Sequence, residues 1–183
     1  MKINRQYIYP PVDIITTTLG IPEDYKQHCI QEAYKIGDKQ DHKTNVKAIM
    51  SSYGLWEETT TYNPLLNRIC NIVLDTIPSN DPRVEFELTT TWFAIYKEGH
   101  HTVPHSHLPS HLSFIYYLKA NSTSAPLIFE NCDFNITPYD DLLVIFPSHV
   151  LHSVPRHKGE DRICVAGNFD LVYTENKNKR QTV

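Results

Sequence analysis

Two histidines separated by a single residue, His105 and His107, are the first candidates for chemistry in this sequence. On a β-strand, residues i and i+2 project from the same face, so two imidazoles at this spacing can bind one metal ion. The chain holds ten histidines, and one such pair arises by chance fairly often in a chain of that composition. The pair alone is therefore a weak signal, and a metal site needs a further ligand.

A third ligand is predicted at His152, which follows the apolar segment Leu142–Phe146 and a turn at Pro147. A returning strand after that turn would bring His152 next to the first two histidines. Three protein ligands would leave positions on the metal open for small ligands. His149 is a rival, but its place beside the proline turn favours a surface position. The other histidines of this region are predicted to be solvated: His100, His101, His111 and His157.

Arg162 lies ten positions after His152, at the start of the last apolar segment. If its side chain pointed inward, its guanidinium could bind a carboxylate of a ligand held at the metal, because the two groups match in a bidentate geometry. The alternative is an arginine at a strand end that pairs with a surface carboxylate such as Asp161. Spacing alone leaves both possibilities open.

Strands must position these side chains, and the second half of the chain has the required pattern. From Val84 to Tyr96 apolar and polar residues alternate, as they do on a strand. Turn-forming residues separate the further strand segments, which are Leu112–Lys119, Pro126–Glu130, Leu142–Phe146, Leu151–Val154 and Arg162–Val172. Several short strands at close spacing predict a closed sandwich or barrel, the jelly-roll and cupin architecture among them.

The first half is predicted to be helical over Glu23–Ile36 and Pro64–Ile77, where apolar residues recur at helical spacing. Residues 51–62 are predicted to form a loop with a short strand. The fold class is thus mainly β (α+β), a double-stranded β-helix with N-terminal helices that buttress one sheet. We expect one domain over residues 1–173, with helical support in 1–83, a jelly-roll core in 84–173 and a disordered tail in 174–183.

Composition and net charge indicate which classes of partner and which compartment to expect. The chain has 183 residues, 40% of them hydrophobic and 21% charged, as in a soluble globular protein. A net charge of −4 argues against a nucleic-acid partner, and no apolar run approaches the roughly 20 residues that span a bilayer. The compartment is a separate question, and we see no secretory signal.

Four scattered cysteines indicate free thiols in a reducing compartment, so we expect a cytoplasmic protein.

The order of these motifs resembles that of the prolyl-hydroxylase-like 2-oxoglutarate/iron(II) oxygenases, and in particular a group of small bacterial and phage-type members with an HxH…H pattern. The resemblance is strongest over residues 86–172 and weaker in the first half. The matching positions, in order, are Trp92, Gly99, His105, His107, Ser113, Tyr116–Leu118, Phe146–Ser148, His152, Arg162 and Asn168.

The resemblance implies a role for each matching residue. His105 and His152 would bind Fe(II), with His107 as the third ligand. Arg162 and Tyr117 would bind the distal carboxylate of the cosubstrate 2-oxoglutarate. Tyr96 would lie near the metal-side carboxylate of the same cosubstrate. Both tyrosines also suit a purely structural role, because aromatic side chains fill the interior of small barrels.

Two positions depart from the family pattern. His107 stands where most members have Asp or Glu, which leaves the metal site one unit more positive. Cys164 stands where Ser or Thr often follows the arginine by two residues, and a thiol is the poorer hydrogen-bond donor.

The resemblance implies an Fe(II)- and 2-oxoglutarate-dependent oxygenase that uses O₂ to hydroxylate a C–H bond of a peptide (prolyl-type) or a small molecule, releasing succinate and CO₂. Two alternatives stay open. One is a cupin-type dioxygenase with a three-histidine metal site and no 2-oxoglutarate. The other is a jelly-roll binding module without enzymatic activity. The oligomeric state is not visible in the sequence.

Overall fold

The computed structural model describes residues 11–37, 44–77 and 81–174. Three helices lie in the first half: α1 (Glu23–Gly37), α2 (Leu55–Glu58) and α3 (Asn63–Thr76). Three short strands accompany them: β1 (Ile15–Thr18), β2 (Val46–Lys47) and β3 (Ile49–Met50). The second half contains β4 (Val84–Tyr96), β5 (His101–His105), β6 (Leu112–Lys119), β7 (Leu127–Phe129), β8 (Phe134–Ile136), β9 (Leu142–Pro147), β10 (His152–Val154) and β11 (Arg162–Tyr173).

The strands form two antiparallel sheets. The six-stranded sheet has the order β1-β9-β6-β11-β4-β3, and the five-stranded sheet has the order β2-β5-β10-β7-β8. Consecutive strands often lie in different sheets, so the chain winds back and forth between the two layers. All three helices contact β4 of the six-stranded sheet. The prediction of a double-stranded β-helix buttressed on one sheet is confirmed.

The central strands of the six-stranded sheet are buried on both faces. On β4, Phe93 and Ile95 belong to the core beneath the helices, while Trp92, Ala94 and Tyr96 belong to the core between the sheets. The same alternation continues on β6 and β11, because neighbouring side chains on a strand point to opposite faces. It directs the even-numbered residues at the start of β11 into the space between the sheets.

The helices pack on the outer face through apolar residues at helical spacing. Cys29 and Ala33 of α1 and Leu65, Ile69 and Val73 of α3 are fully buried in the core beneath the helices. Pro64 stands in the first turn of α3, where a missing N–H costs nothing. Both long helices begin and end within one residue of the predicted bounds.

The sequence missed several short elements. Residues 51–62 contain the helix α2 in place of the predicted short strand, with an isolated bridge between Gly54 and Thr91. Strands of two to five residues in the first half and around His101 also escaped prediction, because so few residues show no readable alternation. The first half is thus less purely helical than predicted, and β1 pairs with β9 along the sheet edge.

Nine residues of the predicted disordered tail, 175–183, lie outside the described residues. Thr174, the remaining one, donates its backbone N–H to the carbonyl of Arg83. Within the described parts of the chain, no helix has the length and apolarity to cross a membrane.

Candidate metal centre

Three histidines meet at one end of the space between the sheets. β5 and β10 are neighbours in the five-stranded sheet, and their register sets His152 directly opposite His105. The ring centroids of these two residues are 4.4 Å apart, and His107 lies 4.8 Å from His105 and 5.0 Å from His152. One nitrogen from each ring falls within 4.8 Å of the other two, so the three could hold one metal ion.

Backbone contacts hold His107, which lies two residues beyond the end of β5. Its N–H donates to the carbonyl of Ser148 at 2.8 Å, and its carbonyl accepts from Ser110 at 3.0 Å. Its ring lies beside the indole of Trp92, with centroids 5.5 Å apart. His107 is thereby placed by a loop tied to the end of β9, whereas His105 is the last residue of β5.

Hydrogen bonds select the tautomer of two of the rings. Nδ1 of His105 lies 2.9 Å from the carbonyl of Val103, and Nδ1 of His152 lies 2.9 Å from the carbonyl of Val150. A carbonyl can only accept, so each Nδ1 carries the proton and each Nε2 keeps its lone pair. The same bonds fix the ring orientations, as they do at many histidine metal sites.

Burial keeps the three imidazoles neutral. Burial lowers the pKa of His107 to about 3, helped by repulsion from His152 and His105. Burial also lowers the pKa of His152 to about 4 and shifts the pKa of His105 downward. All three rings therefore offer lone pairs to a metal at neutral pH, when histidines in water would be partly protonated.

Arg162 lies on the same inner face, with only 1% of its surface exposed. Its Nη2 donates to the hydroxyl of Tyr117 at 3.2 Å, and its guanidinium carbon lies 4.4 Å from the ring centre of Tyr96 and 4.9 Å from that of Tyr117. Nε and Nη1 have no hydrogen-bond partner among the described residues. Asp161, the surface partner considered from the sequence, instead accepts a hydrogen bond from Tyr34.

One pocket joins the guanidinium to the histidines. Its lining includes all three histidines together with Tyr96, Arg162 and Cys164. A buried guanidinium with two unused donors is costly unless an anion completes it. The pocket is therefore suited to a ligand that carries a carboxylate at one end and binds the metal at the other.

The two tyrosines and the cysteine contribute differently. The hydroxyl of Tyr96 lies 2.6 Å from Oγ1 of Thr102, and burial raises the pKa of Tyr96 to about 12, so the phenol keeps its proton. Burial likewise raises the pKa of Tyr117. Sγ of Cys164 lies 3.9 Å from the carbonyl of Ala94. The contact between Tyr96 and Thr102 had no signal in the sequence.

A chain of buried polar side chains supports the loop that carries His107. Oγ of Ser113 donates to Oδ1 of Asn168 at 2.9 Å and lies 2.8 Å from Oγ of Ser148. Nδ2 of Asn168 in turn donates to Thr90 at 2.8 Å. Since the Ser113 proton is used on Asn168, Ser148 donates to Ser113. Ser113, Ser148 and Asn168 belong to the motif order noted in the sequence, which gave them no role.

The other histidines between His100 and His157 lie apart from the cluster. His149, the rival ligand, is exposed, as is His111, and His100 and His101 are partly exposed. The prediction for His157 was wrong, because this residue is 0% exposed. Its Nδ1 accepts from the N–H of Ala125 at 3.2 Å and its Nε2 lies 2.6 Å from the carbonyl of Glu160, so it is a structural residue satisfied at both nitrogens.

Comparison with solved structures identifies the architecture. The chain is similar to the viral collagen prolyl hydroxylase vCPH of Paramecium bursaria Chlorella virus-1 in its 2OG complex, with a TM-score of 0.68, 13% identity, and coverage of 85% of this chain and 94% of that one. It is also similar to a Pseudomonas putida prolyl-4-hydroxylase, with a TM-score of 0.67, 17% identity, and coverage of 86% and 91%.

A third similar structure is HygX from Streptomyces hygroscopicus with nickel and 2-oxoglutarate bound, with a TM-score of 0.66, 9% identity, and coverage of 87% of this chain and 83% of that one. The sequence matches no protein-family model and no curated protein. Identities this low establish the fold alone. The chain has the double-stranded β-helix fold found in prolyl hydroxylases and other 2-oxoglutarate-dependent oxygenases.

Proposed function

We propose that this protein is an Fe(II)- and 2-oxoglutarate-dependent oxygenase. The observation that carries the proposal is the orphaned guanidinium of Arg162, buried in the pocket that the three histidines close. A stable fold has no need of a buried cation with two unpaired donors, but a dicarboxylate that also binds a metal needs one.

The histidines fit iron. Imidazole suits Fe(II), as well as zinc, copper and nickel. Three neutral rings from His105, His107 and His152 would occupy one side of the ion and leave the other open. Because no carboxylate belongs to the trio, the protein contributes no negative charge to the metal. Anionic ligands would then be held more strongly than at a site with one carboxylate.

The polar groups of the pocket match the chemistry of the cosubstrate. We assign Arg162 and the hydroxyl of Tyr117 to the distal carboxylate of 2-oxoglutarate, because both groups lie buried at the same point. We assign Tyr96 to the neighbourhood of the metal-side carboxylate, because its ring lines the same pocket as Arg162 and the three histidines. Cys164, on the same face as Arg162, adds only a weak donor.

Iron and 2-oxoglutarate, when bound, supply the oxidising chemistry, in which O₂ hydroxylates a C–H bond and 2-oxoglutarate is converted to succinate and CO₂. The protein's own residues orient the reactants and exclude water. Arg162 fixes one end of the cosubstrate, and the three imidazoles fix the metal at the other. The described residues that line this pocket include no Asp or Glu, so none is available there as a carboxylate base.

The substrate is either a peptide, with prolyl hydroxylation as the reference case, or a small molecule. Similar structures include enzymes of both kinds: one is named a collagen prolyl hydroxylase, another is bound to a hypoxia-inducible-factor peptide, and HygX is bound to hygromycin B. We further propose that residues 1–173 act as one domain, since the helices pack directly on β4. The four free thiols fit the cytoplasm.

The third histidine supports one rival. A dioxygenase with three histidine ligands and no 2-oxoglutarate would share the geometry of His105, His107 and His152. It would leave Arg162 without a ligand, and its turnover would release no succinate. Succinate formation therefore separates the two functions.

The test is aerobic incubation of the Fe(II)-loaded protein with 2-oxoglutarate, at protein concentrations near that of the cosubstrate, with succinate measured by NMR. We expect succinate from the parent and from His149→Gln, the matched control at an exposed histidine, and none from His152→Gln. Oxygen uptake without succinate would favour the three-histidine dioxygenase. Absence of both reactions would reject an oxygenase.

A further inference from the structure

An open groove runs outward from the metal centre along the surface of the six-stranded sheet. Its inner end is formed by His105 and His107, and its volume is about 480 Å³. Its walls and outer end include Tyr53, Trp92, Leu108, Thr90, Asn168 and Asp170. The groove is distinct from the buried pocket of Arg162, although both are lined by His105, His107, Val46 and Trp92.

The strand register gives the length of the groove. Trp92, whose ring adjoins His107, pairs with Ala166 on β11, and Asp170 lies four residues farther along that strand. At about 3.3 Å per residue, Asp170 lies on the order of 13 Å from the level of the metal centre. An extended peptide covers that distance in about four residues.

Asp170 places a negative charge at the outer end. Its Oδ2 accepts a hydrogen bond from Thr89 at 3.0 Å. His111 lies 4.0 Å away, but its Nδ1 accepts the N–H of Leu171, so the nitrogen that faces Asp170 carries no proton. Among the described residues, Asp170 forms no ion pair with a lysine or arginine.

Glu87 adds a second negative charge beside Asp170. It stands directly opposite Asp170 in the pairing of β4 and β11, and it too has no cationic partner within the described chain. Like charges in such a position repel each other and reduce sheet stability. A cation bound at this end of the groove would relieve the repulsion, so the charge pattern complements a positively charged ligand group.

The side chains along the groove walls suit an extended peptide bound across the protein surface. Tyr53 is 49% exposed and Leu108 is 66% exposed on the rim, and the ring of Tyr53 stands edge-on to Trp92 with centroids 5.2 Å apart. Small-molecule sites enclose most of their ligand. This groove is bordered by exposed side chains and ends at an acidic residue far from the metal, which fits an extended peptide better.

We propose, resting on the oxygenase function proposed above, that the groove binds an extended peptide carrying a lysine or arginine two to four residues from the residue at the metal centre. The basic side chain pairs with Asp170. The intervening residues lie against Tyr53 and Trp92, where apolar or proline side chains gain aromatic contact.

The experiment measures binding of fluorescein-labelled nine-residue peptides to the Fe(II)-loaded protein under argon, by fluorescence anisotropy. Each peptide has a central proline and a single lysine at a varied distance from it, and its matched partner has glutamate in place of that lysine. We expect the lysine peptides to bind more tightly, most at separations of two to four residues, with the preference weakening as salt rises. Equal binding of the lysine and glutamate peptides at every position would overturn the proposal.

Charge reversal supplies the specific control. Asp170→Asn is expected to reduce the lysine preference by about two- to fivefold, the range of an exposed ion pair, and Asp170→Lys to transfer the preference to glutamate peptides. Asp133→Lys, an exposed site on the turn between β7 and β8, is expected to change nothing. Competition by spermidine below the peptide Kd would overturn the peptide assignment in favour of a small amine.

The two proposals fail separately. A lysine preference dependent on Asp170, in a protein that forms no succinate, would reject the oxygenase while the groove retained its basic peptide. Succinate formation without any lysine preference would reject the basic peptide alone.

Discussion

Arg162 is the residue whose position asks for an explanation. Its guanidinium is buried among Tyr96 and Tyr117, with one hydrogen bond and no carboxylate within the described chain. Taking an unpaired charge out of water costs several kcal/mol in general. The likeness to the prolyl hydroxylases led us to expect an arginine that binds a carboxylate of the cosubstrate, and the structure provides the buried, unsatisfied donors that such a role requires.

Replacement of Arg162 by methionine should therefore separate stability from binding. Without ligands, Arg162→Met is expected to unfold at the same temperature as the parent or higher, because an apolar chain of similar length removes a buried charge. With Fe(II) present, 2-oxoglutarate at a hundred times its Kd should stabilise the parent by about 2.7 kcal/mol and leave the variant unchanged. Thermal unfolding with and without 2-oxoglutarate measures both effects.

Arg156→Met is the control, because Arg156 is exposed and lies outside the pocket. It should respond to 2-oxoglutarate as the parent does. A strong loss of stability in ligand-free Arg162→Met would show instead that the arginine holds the fold together.

The histidines predict a pH dependence of the metal-free protein. Their pKa values in the folded state are lowered, to about 3 for His107 and about 4 for His152, whereas an unfolded histidine titrates near 6.5. The unfolded chain therefore binds more protons below pH 6.5, and stability falls as the pH drops from about 6.5 toward 4. Urea unfolding of chelator-treated protein at pH 7.5 and pH 5 tests this.

In His107→Gln the loss of stability between these two pH values should be smaller than in the parent. His149→Gln, at an exposed position, should keep the parent's loss. Identical pH dependence in all three proteins would contradict a buried, neutral His107.

At the scale of elements, most of the correct predictions came from the two-residue alternation of side chains along β-strands. Alternation along strands predicted β4, the return strand of His152 and the final strand of Arg162, whose inward direction was one of two possibilities. Two features lay beyond that period. His107 sits outside the ladder, on a loop fixed by the backbone of Ser148. His157 is buried, and its Nδ1 accepts a hydrogen bond from Ala125, which lies 32 residues earlier. No local pattern reveals such a contact.

The polar chain through Asn168 belongs to this scale, because it joins β4, β6 and β11 to the end of β9. Asn168→Ala would leave Ser113 without its acceptor, and an unsatisfied buried group costs about 1–3 kcal/mol. We expect that loss in the free energy of unfolding, measured with urea, together with weaker Fe(II) binding as the loop of His107 loosens. Asn135→Ala, exposed on β8, should alter neither quantity, and unchanged iron affinity in Asn168→Ala would contradict the link to His107.

At the scale of the whole molecule, two cores lie on opposite faces of one sheet. The core beneath the helices contains Ile69 and Phe93, and the core between the sheets contains Trp92 and Tyr96 near the metal centre. From its helical and alternating patterns the sequence predicted that N-terminal helices buttress one sheet. It could not predict β1, β2 or β3, because their pairing depends on partners far along the chain, such as Ile145 for Ile15.

Because the two cores lie on opposite faces of the sheet, a cavity in the core beneath the helices should lower the stability of the fold without changing the metal centre. Ile69→Ala should lower the free energy of unfolding by about 2–5 kcal/mol, the usual cost of removing a large buried side chain. Its Fe(II) affinity at a temperature where it remains folded should match the parent's, as should that of Leu74→Ala, a change on the exposed face of α3. A large fall in iron affinity in Ile69→Ala alone would show that the helices control the metal centre.

The central claim is that the histidines and Arg162 form one site for iron and 2-oxoglutarate. Its most direct test is anaerobic titration of the Fe(II)-loaded protein with 2-oxoglutarate, following the visible charge-transfer band of a metal-bound 2-oxo acid. We expect the band in the parent, and in Arg162→Met only at much higher 2-oxoglutarate concentrations. Iron binding without any band in the parent would contradict the account.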